Sequence, residues 1–397
     1  MTNTRQLFLS YLAQTSPSPL MIDVSHAEGV YFYDQNQKAY LDLIAGISVS
    51  NVGHRHPKVI AAIEAQLQKY LHIMVYGEMV QSPQVQLAEA LVKTLPSYID
   101  NVYFTNSGSE AIEGALKLAK RFTERTEIIS YQNAYHGSSH GALSAGGNEY
   151  FKQAFRPLLP HFRHIRFGVE EDLSYITEKT AAVLIETVQG EAGIRVAQST
   201  YFEALSQRCK ETGTLLIVDE IQAGFGRTGK FWAFEHYALQ PDIVVAAKGM
   251  GGGMPIGAFM ASKKLMQTLT HNPILGHITT FGGHPLSAAA SLATLQTIQE
   301  EQLAQQAEEK AQLFIQYLQH KAIRQIRHKG LMMAVEVDSF AQIQTIIQHC
   351  LSNGLLTDWF LFCDNSLRIA PPLIITPPQI EQACHILLEA LDFSTKF

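Results

Sequence analysis

The sequence predicts an α/β protein in which a large domain with a mostly parallel central sheet precedes a smaller α/β C-terminal domain. Two observations carry this. Short apolar runs recur, the clearest being Ala181–Ile185, Leu215–Val218 and Ile243–Ala247, and fully buried parallel strands read as continuous runs of this kind. Near residue 286 the pattern gives way to long helical spacing. A chain of 397 residues also fits two or three domains at roughly 150 residues each.

Between the first two runs, Tyr201–Glu211 carries Phe202, Leu205 and Cys209 at helical spacing and meets Gly213 as a stop, which makes a βαβ crossover. From Ser287 to about Lys321 the spacing is helical. A strand follows at Leu331–Val337, then a helix at Phe340–Asn353 closed by Gly354, a short β segment and a last helix from Gln379. Pro371-Pro372 and Pro377-Pro378 read as turns near the last strand. There is no internal repeat or low-complexity tract.

Composition narrows the function. Charged residues make up 17% and apolar residues 46%, an interior-rich balance that suits a folded chain able to bury surface against a partner subunit. Thirty Lys and Arg against 36 Asp and Glu leave a net charge of −6 with no basic cluster, which argues against nucleic-acid binding. The four cysteines, Cys209, Cys350, Cys363 and Cys384, form no Cys-x-x-Cys pair and suit a reducing cytoplasm. Leu7–Leu12 is too short and interrupted for export or a membrane span, so neither is expected.

In an open parallel sheet, ligands bind beyond the carboxyl ends of the strands. There the sequence places Glu186, Asp219 and Lys248, each ending an apolar run. An ion pair alone would account for such a trio. The Lys248 loop, Gly249-Met250-Gly251-Gly252-Gly253-Met254-Pro255, has few side chains and leaves room for a planar group. A desolvated lysine can form a Schiff base with an aldehyde, and pyridoxal phosphate (PLP) is the obvious one. A carboxylate such as Asp219 would keep its ring nitrogen protonated. Ser107-Gly108-Ser109 opens a helix whose Ile112, Ala115, Leu116 and Ala119 share one face, and a helix start with two hydroxyls suits a phosphate, although ordinary Ser N-capping is the stronger reading of this segment taken alone.

Three other motifs have the wrong context. Gly224-Phe225-Gly226-Arg227-Thr228-Gly229 matches the dinucleotide fingerprint, but it starts well past Val218 and the next strand ends in a lysine. Gly137-Ser138-Ser139-His140-Gly141 matches the serine-hydrolase elbow, yet Gln132–His136 separates it from its strand. His136 and His140 lack the glutamate that a zinc protease places after the first histidine, so no metal site is expected.

Asp219-Glu220-Ile221-Gln222-Ala223-Gly224, the Lys248 loop, Ser107-Gly108-Ser109-Glu110-Ala111, Tyr135-His136-Gly137 and Gln189-Gly190-Glu191 together resemble the class III aminotransferases, PLP enzymes of fold type I, over nearly the whole chain. The resemblance implies that Lys248 holds the cofactor, Asp219 pairs with its ring nitrogen and Gln222 contacts its phenolic oxygen. It further implies that Tyr135 and Ile221 flank the ring, that His136 and Glu186 belong to the same site, and that Ser107, Gly108 and Ser109 hold the phosphate with Thr280 of a neighbouring subunit. A homodimer follows, with residues 1–50 packing on the small domain, 51–285 forming the large domain and 286–397 the small one.

For substrates, the resemblance assigns Ile47, Glu191 and Arg368. Arg368 would grip an α-carboxylate, with Glu191 pairing with it for a distal amine and swinging away for an α-amino acid. The expected reaction is ping-pong transfer from a distal amine of the acetylornithine, ornithine or 4-aminobutyrate type to an oxoacid, 2-oxoglutarate foremost. Relatives acting on those three donors carry an arginine directly after the His-Gly pair, where this chain has Ser138. Phe151–Gly168 is similar to putrescine aminotransferases, which also lack that arginine, and makes a diamine donor the alternative. Ile47 stands where ornithine aminotransferases have tyrosine, and Thr187 replaces the usual proline after Glu186.

Overall fold

The computed structural model describes residues 3–395. After an exposed helix, Thr4–Tyr11, come β1 (Val24–Glu28), β2 (Tyr31–Asp34) and β3 (Ala39–Asp42). The central strands are β4 (Asn101–Thr105), β5 (Glu127–Tyr131), β6 (Phe162–Ile165) and β7 (Thr180–Ile185). A small ribbon, β8 (Val188–Gln189) with β9 (Arg195–Val196), precedes β10 (Leu215–Asp219), β11 (Ile243–Ala246) and β12 (Gly257–Ala261). The C-terminal part holds β13 (Gln325–Lys329), β14 (Met332–Glu336), β15 (Leu355–Leu356), β16 (Trp359–Phe360) and β17 (Cys363–Ile369).

The central sheet has seven strands in the order β4-β12-β11-β10-β7-β5-β6. β7, β10 and β11 run parallel, as do β5 with β6 and with β7, whereas β12 lies antiparallel between β11 and β4. Every residue of β7, β10, β11 and β12 is buried, as continuous apolar runs covered on both faces must be. The crossover helix between β7 and β10, Ser199–Thr212, ends at Gly213, whose φ of +62° supplies the left-handed C-cap expected of a glycine.

A second, antiparallel sheet has the order β13-β14-β17-β16, and a third, β1-β2-β3-β15, ties the N-terminal strands to residues 355–356. The helical stretch from 287 proves to be two helices, Pro285–Glu300 and Leu303–Tyr317, broken at Gln302 with φ +51°. Pro377 and Pro378, expected as turn residues, instead form the first turn of the helix Pro377–Ser394. Their missing N–H groups would have had no intrahelical acceptor there, and Thr376 with Gln379 forms a capping box. Among the described residues, no helix is long and apolar enough to cross a membrane.

Candidate active site

Because β7, β10 and β11 are parallel neighbours, Glu186, Asp219 and Lys248 reach the same sheet edge. A cavity of about 750 Å³ opens there and all three line it. That volume accommodates a cofactor with a small substrate. Lys248 itself has φ +46°, and Gly252 and Gly253 continue the turn at +59° and +102°. A non-glycine residue in this region is strained and persists only where its surroundings hold it. Among the described residues, none hydrogen-bonds or ion-pairs with Lys248 Nζ. Burial lowers the pKa of that amine; Glu191 opposes the shift and Arg368 adds to it. A buried amine without a partner gives up its proton more readily and is then a nucleophile.

Asp219, at the end of β10, is only 4% exposed. Its Oδ1 accepts from the Ile221 backbone N–H (2.9 Å) and its Oδ2 from His136 Nδ1 (2.7 Å). Both bonds fix the carboxylate from behind. Glu186 accepts from the backbone N–H groups of Tyr135 (3.1 Å) and Gly190 (3.2 Å). Burial nevertheless pushes its carboxyl up to about 7, against the pull of His136. A Cβ on Gly190 would lie 1.8 Å from Gln222 Oε1, so a larger residue there would displace the Gln222 side chain.

Ser107 caps the helix Gly108–Thr123, its Oγ accepting from Glu110 N–H (3.2 Å). Ser107, Gly108 and Ser109 all line the cavity, so the first amides of a long helix lie at its edge. A Cβ on Gly108 would come within 2.8 Å of Ile221 Cδ1, and one on Gly137, at φ +130°, within 2.5 Å of Ser109 Oγ. The cradle therefore depends on both glycines. The sequence reading missed Glu113, one turn beyond Ser109 on the same helix. Its Oε1 accepts from Ser139 Oγ (2.6 Å) and from the N–H groups of Gly141 (2.7 Å) and Ala142 (3.1 Å), while Ser139 Oγ lies 2.7 Å from Ser109 Oγ. The i, i+4 spacing was the available signal. These contacts tie Ser139 to Ser109 and Glu113, and among the described residues no hydrogen bond joins it to a histidine as a hydrolase elbow needs.

Arg368 and Glu191 form a buried two-pronged bridge, Nη1 to Oε1 and Nη2 to Oε2, both 3.0 Å. Burial alone would raise the Glu191 carboxyl, but Arg368 holds it below its usual value. Gln222 Nε2 donates to Glu191 Oε1 (3.3 Å), linking the bridge to the β10 turn. Asp358, also missed, accepts from Arg368 Nε (2.9 Å).

Three expected residues lie elsewhere. Arg368 stands behind Glu191 and does not line the cavity. Thr280 is exposed and outside it, next to Thr279, whose Oγ1 accepts from Asn106 Nδ2 (3.0 Å). Ile47 also lies off the wall, which is formed instead by Val49. The reason is a left-handed turn: Ala45, Gly46, Ile47 and Ser48 have φ of 50°, 62°, 63° and 62°. Such a turn costs roughly 1–2 kcal/mol per L-residue. Asp42 holds it, accepting from the N–H groups of Ile44 (2.8 Å) and Ala45 (2.9 Å) and from His54 Nε2 (2.9 Å).

Residues 11–391 match the family described as aminotransferase class-III. The chain belongs to the class III aminotransferases. It is 38% identical to the acetylornithine aminotransferase of Methanopyrus kandleri over 394 residues, covering 98% of this chain and 99% of that one. The acetylornithine aminotransferase of Bacillus subtilis is 39% identical, with 93% and 95% covered. The putrescine aminotransferase of Pectobacterium atrosepticum is also 39% identical, with 91% and 80% covered. The solved ornithine aminotransferase of Toxoplasma gondii superimposes with a TM-score of 0.90 at 28% identity, over 98% of this chain and 94% of that one.

This class III member is thus a PLP-dependent aminotransferase of fold type I, and its substrates are an amine donor and an oxoacid acceptor. The cavity fits the cofactor chemically. It offers an unpartnered amine for the aldehyde, a carboxylate braced by histidine for the ring N–H, and a glycine-lined helix start for the phosphate.

Proposed function

We propose that this aminotransferase takes the amino group from a distal amine and passes it to an α-oxoacid, 2-oxoglutarate foremost, in a ping-pong cycle with both half-reactions in one cavity. The closed Glu191–Arg368 bridge carries this reading. With its fork occupied, Arg368 offers nothing to a carboxylate, and the cavity receives a donor end that carries no carboxylate; when Glu191 moves off, the same fork receives an α-carboxylate. Arginine suits that two-pronged task.

Lys248 would hold the cofactor, Asp219 its ring nitrogen, Gln222 its phenolic oxygen and Ser107–Ser109 its phosphate. His136 would brace Asp219, Tyr135 and Ile221 would flank the ring, and Glu186 would set the Tyr135 loop. When bound, PLP supplies an electron sink for the bond broken at the donor carbon. Lys248, once free, carries the proton from the donor carbon, a task that needs an amine readily deprotonated near neutral pH. Val49 and Ile256 close the cavity against water with apolar surface.

An acetylornithine-type donor is supported by the acetylornithine aminotransferases at 35–39% identity. A diamine donor is supported by a specific observation: Ser138 is exposed, and among the described residues no arginine lines the cavity, whereas Glu110, Glu186, Glu191 and Asp219 do. A donor with a second carboxylate would meet acids there, whereas a second ammonium would be welcome.

The two-subunit reading rests on an exposed apolar surface. Leu71, Met79, Val80, Ile274, Leu275 and Phe281 are 49–95% exposed, Val80 being the 95% case, and Thr280 stands among them. A patch of this kind needs a partner, and a second copy would bring Thr280 to the other cavity. The division at residues 50/51 and 285/286 and a cytoplasmic location belong to the same reading.

The test is a panel of N-acetylornithine, ornithine, 4-aminobutyrate and putrescine against the purified holoenzyme, scored by loss of the visible absorption of lysine-bound PLP. At least one distal amine should discharge it, and 2-oxoglutarate should restore it. If only α-amino acids discharge it, the proposal fails. In the Arg368→Ala variant the KM for glutamate should rise by about 100-fold, in line with a lost charge-assisted pair, while that for the best distal amine moves little. Equal losses would remove Arg368 from carboxylate recognition.

A further inference from the structure

We propose that Asp358 is a positioning residue for substrate specificity: it is the fixed carboxylate that aims the Arg368 fork while Glu191 comes and goes. This rests on the reading of Arg368 as the carboxylate grip.

Arg368 is on β17 and Asp358 immediately precedes β16, its antiparallel neighbour. Their backbones are joined by Arg368 N–H donating to Asp358 O (2.9 Å), and the buried Thr357 Oγ1 donates to Arg368 O (2.7 Å). Asp358 and Arg368 therefore move as one body. Glu191 sits between β8 and β9, on the side of the central sheet, and is joined to Arg368 only through side chains. Its carboxylate also accepts from the Leu361 N–H (3.2 Å) and Gln222 Nε2 (3.3 Å), while its backbone carbonyl accepts from the Phe362 N–H (3.0 Å), so what comes and goes is the Glu191 side chain, turning on a tethered backbone.

The guanidinium is divided accordingly. Asp358 Oδ1 takes Nε, the edge away from the cavity, and Glu191 takes the two terminal nitrogens. Arg368 is 4% exposed, so removal of Glu191 would leave a buried cation facing the site. With Asp358 in place that cation stays paired and its plane stays set, leaving the terminal nitrogens free for an end-on carboxylate. Without Asp358, the Arg368 head keeps the Trp359 carbonyl (3.3 Å) and the face of the Phe360 ring (4.5 Å). Neither fixes the direction of the fork, and the arginine would then follow Glu191 instead of releasing it. Burial and the neighbouring Glu191 hold the Asp358 carboxyl up to about 6 despite Arg368, as expected for a third charge in a tight cluster.

Two consequences separate this role from plain structural support. The half-reaction with the bridge closed keeps both Arg368 contacts through Glu191, so it should tolerate loss of Asp358. The half-reaction with the bridge open depends on Asp358 alone. An acceptor atom at Oδ1, with or without charge, is what the aim requires.

The experiment uses the holoenzyme and glutarate, a dicarboxylate with neither amine nor keto group, measured by titration calorimetry, together with kinetics for glutamate and for the best distal amine of the panel. Asp358→Ala should weaken glutarate by about tenfold, the effect of one hydrogen bond to a charged group, and raise the KM for glutamate to match. Its kcat for glutamate and its KM for the distal amine should change by less than about twofold, within a few tenths of a kcal/mol. Asp358→Asn, which can still accept from Nε, should restore glutarate affinity. Should the alanine variant not fold, Asp358→Ser, too short to reach Nε, carries the same expectation. Unchanged glutarate affinity in the alanine or serine variant, equal losses for glutamate and distal amine, or an asparagine variant as weak as alanine would each overturn the proposal. Arg368→Ala serves as reference: if it too leaves glutarate binding unchanged, the grip itself is wrong; if it abolishes binding while Asp358→Ala does not, only Asp358's role falls.

Discussion

Replacing Lys248 with alanine should cut transamination by about 10,000-fold, the upper range for losing a general acid–base group, and should remove the visible absorption of lysine-bound PLP. The proposed phosphate site at Ser107–Ser109 and the Asp219–His136 pair are untouched by the change, so the variant should still bind the cofactor noncovalently. An unaltered spectrum would refute the assignment of Lys248. The sign of its pH dependence follows from its burial. The amine reacts as the free base, and its pKa is lowered from the ordinary 10.5, so the free-base fraction grows at lower pH than in an exposed lysine. Covalent PLP uptake by the cofactor-free protein should therefore level off at lower pH than Schiff-base formation by an exposed lysine; a plateau no earlier than that of an exposed lysine would count against the buried amine.

The parts of the fold that could be read early are those where one physical requirement dominates. β7, β10 and β11 are buried on both faces, so their sequences are unbroken apolar runs and their ends were placed to within a residue or two. The break at Gln302 has no glycine or proline to announce it, and its helices are helical on either side, so spacing alone joined them. Pro377-Pro378 is ambiguous by nature, because proline suits both a turn and a first helical turn; the Thr376–Gln379 box decides it.

The site divides along the same line. Glu186, Asp219 and Lys248 were legible because strand direction alone brings them to one edge. Asp358 was not, since its meeting with Arg368 depends on the register of β16 on β17, where Trp359 pairs with Leu367 across an irregularity. Val49 on the cavity wall, in place of the expected Ile47, was not legible for a third reason: four consecutive residues in the left-handed region set which side chain meets the cavity, and only one of the four is a glycine. Such a turn is stabilised by Asp42 and His54 from outside it, so nothing within the segment reveals it.

Asp219→Asn should lower kcat by about 100- to 1,000-fold while the enzyme keeps its cofactor and its lysine-bound absorption, because the change removes a charge and little volume. The magnitude follows from breaking a buried charged pair at about 3–5 kcal/mol, discounted for the hydrogen bond an amide oxygen can still make, at about 1.4 kcal/mol per tenfold in rate. His136 decides how the variant behaves. Its Nδ1 donates to Oδ2 and the Ile221 N–H to Oδ1, so both oxygens are already oriented by donors. An asparagine amide nitrogen in the place of either oxygen would face a donor, and the side chain must turn one way or the other. His136→Ala alone leaves the carboxylate in place with one brace fewer, and should cost only about tenfold, the effect of one hydrogen bond to a charged group. Two losses of this relative size, with PLP retained in both variants, would place the work in the charge of Asp219 and the support in His136. Wild-type turnover in Asp219→Asn would instead mean that the ring nitrogen needs no carboxylate, and the reason for an acid at the end of β10 would have to be sought elsewhere.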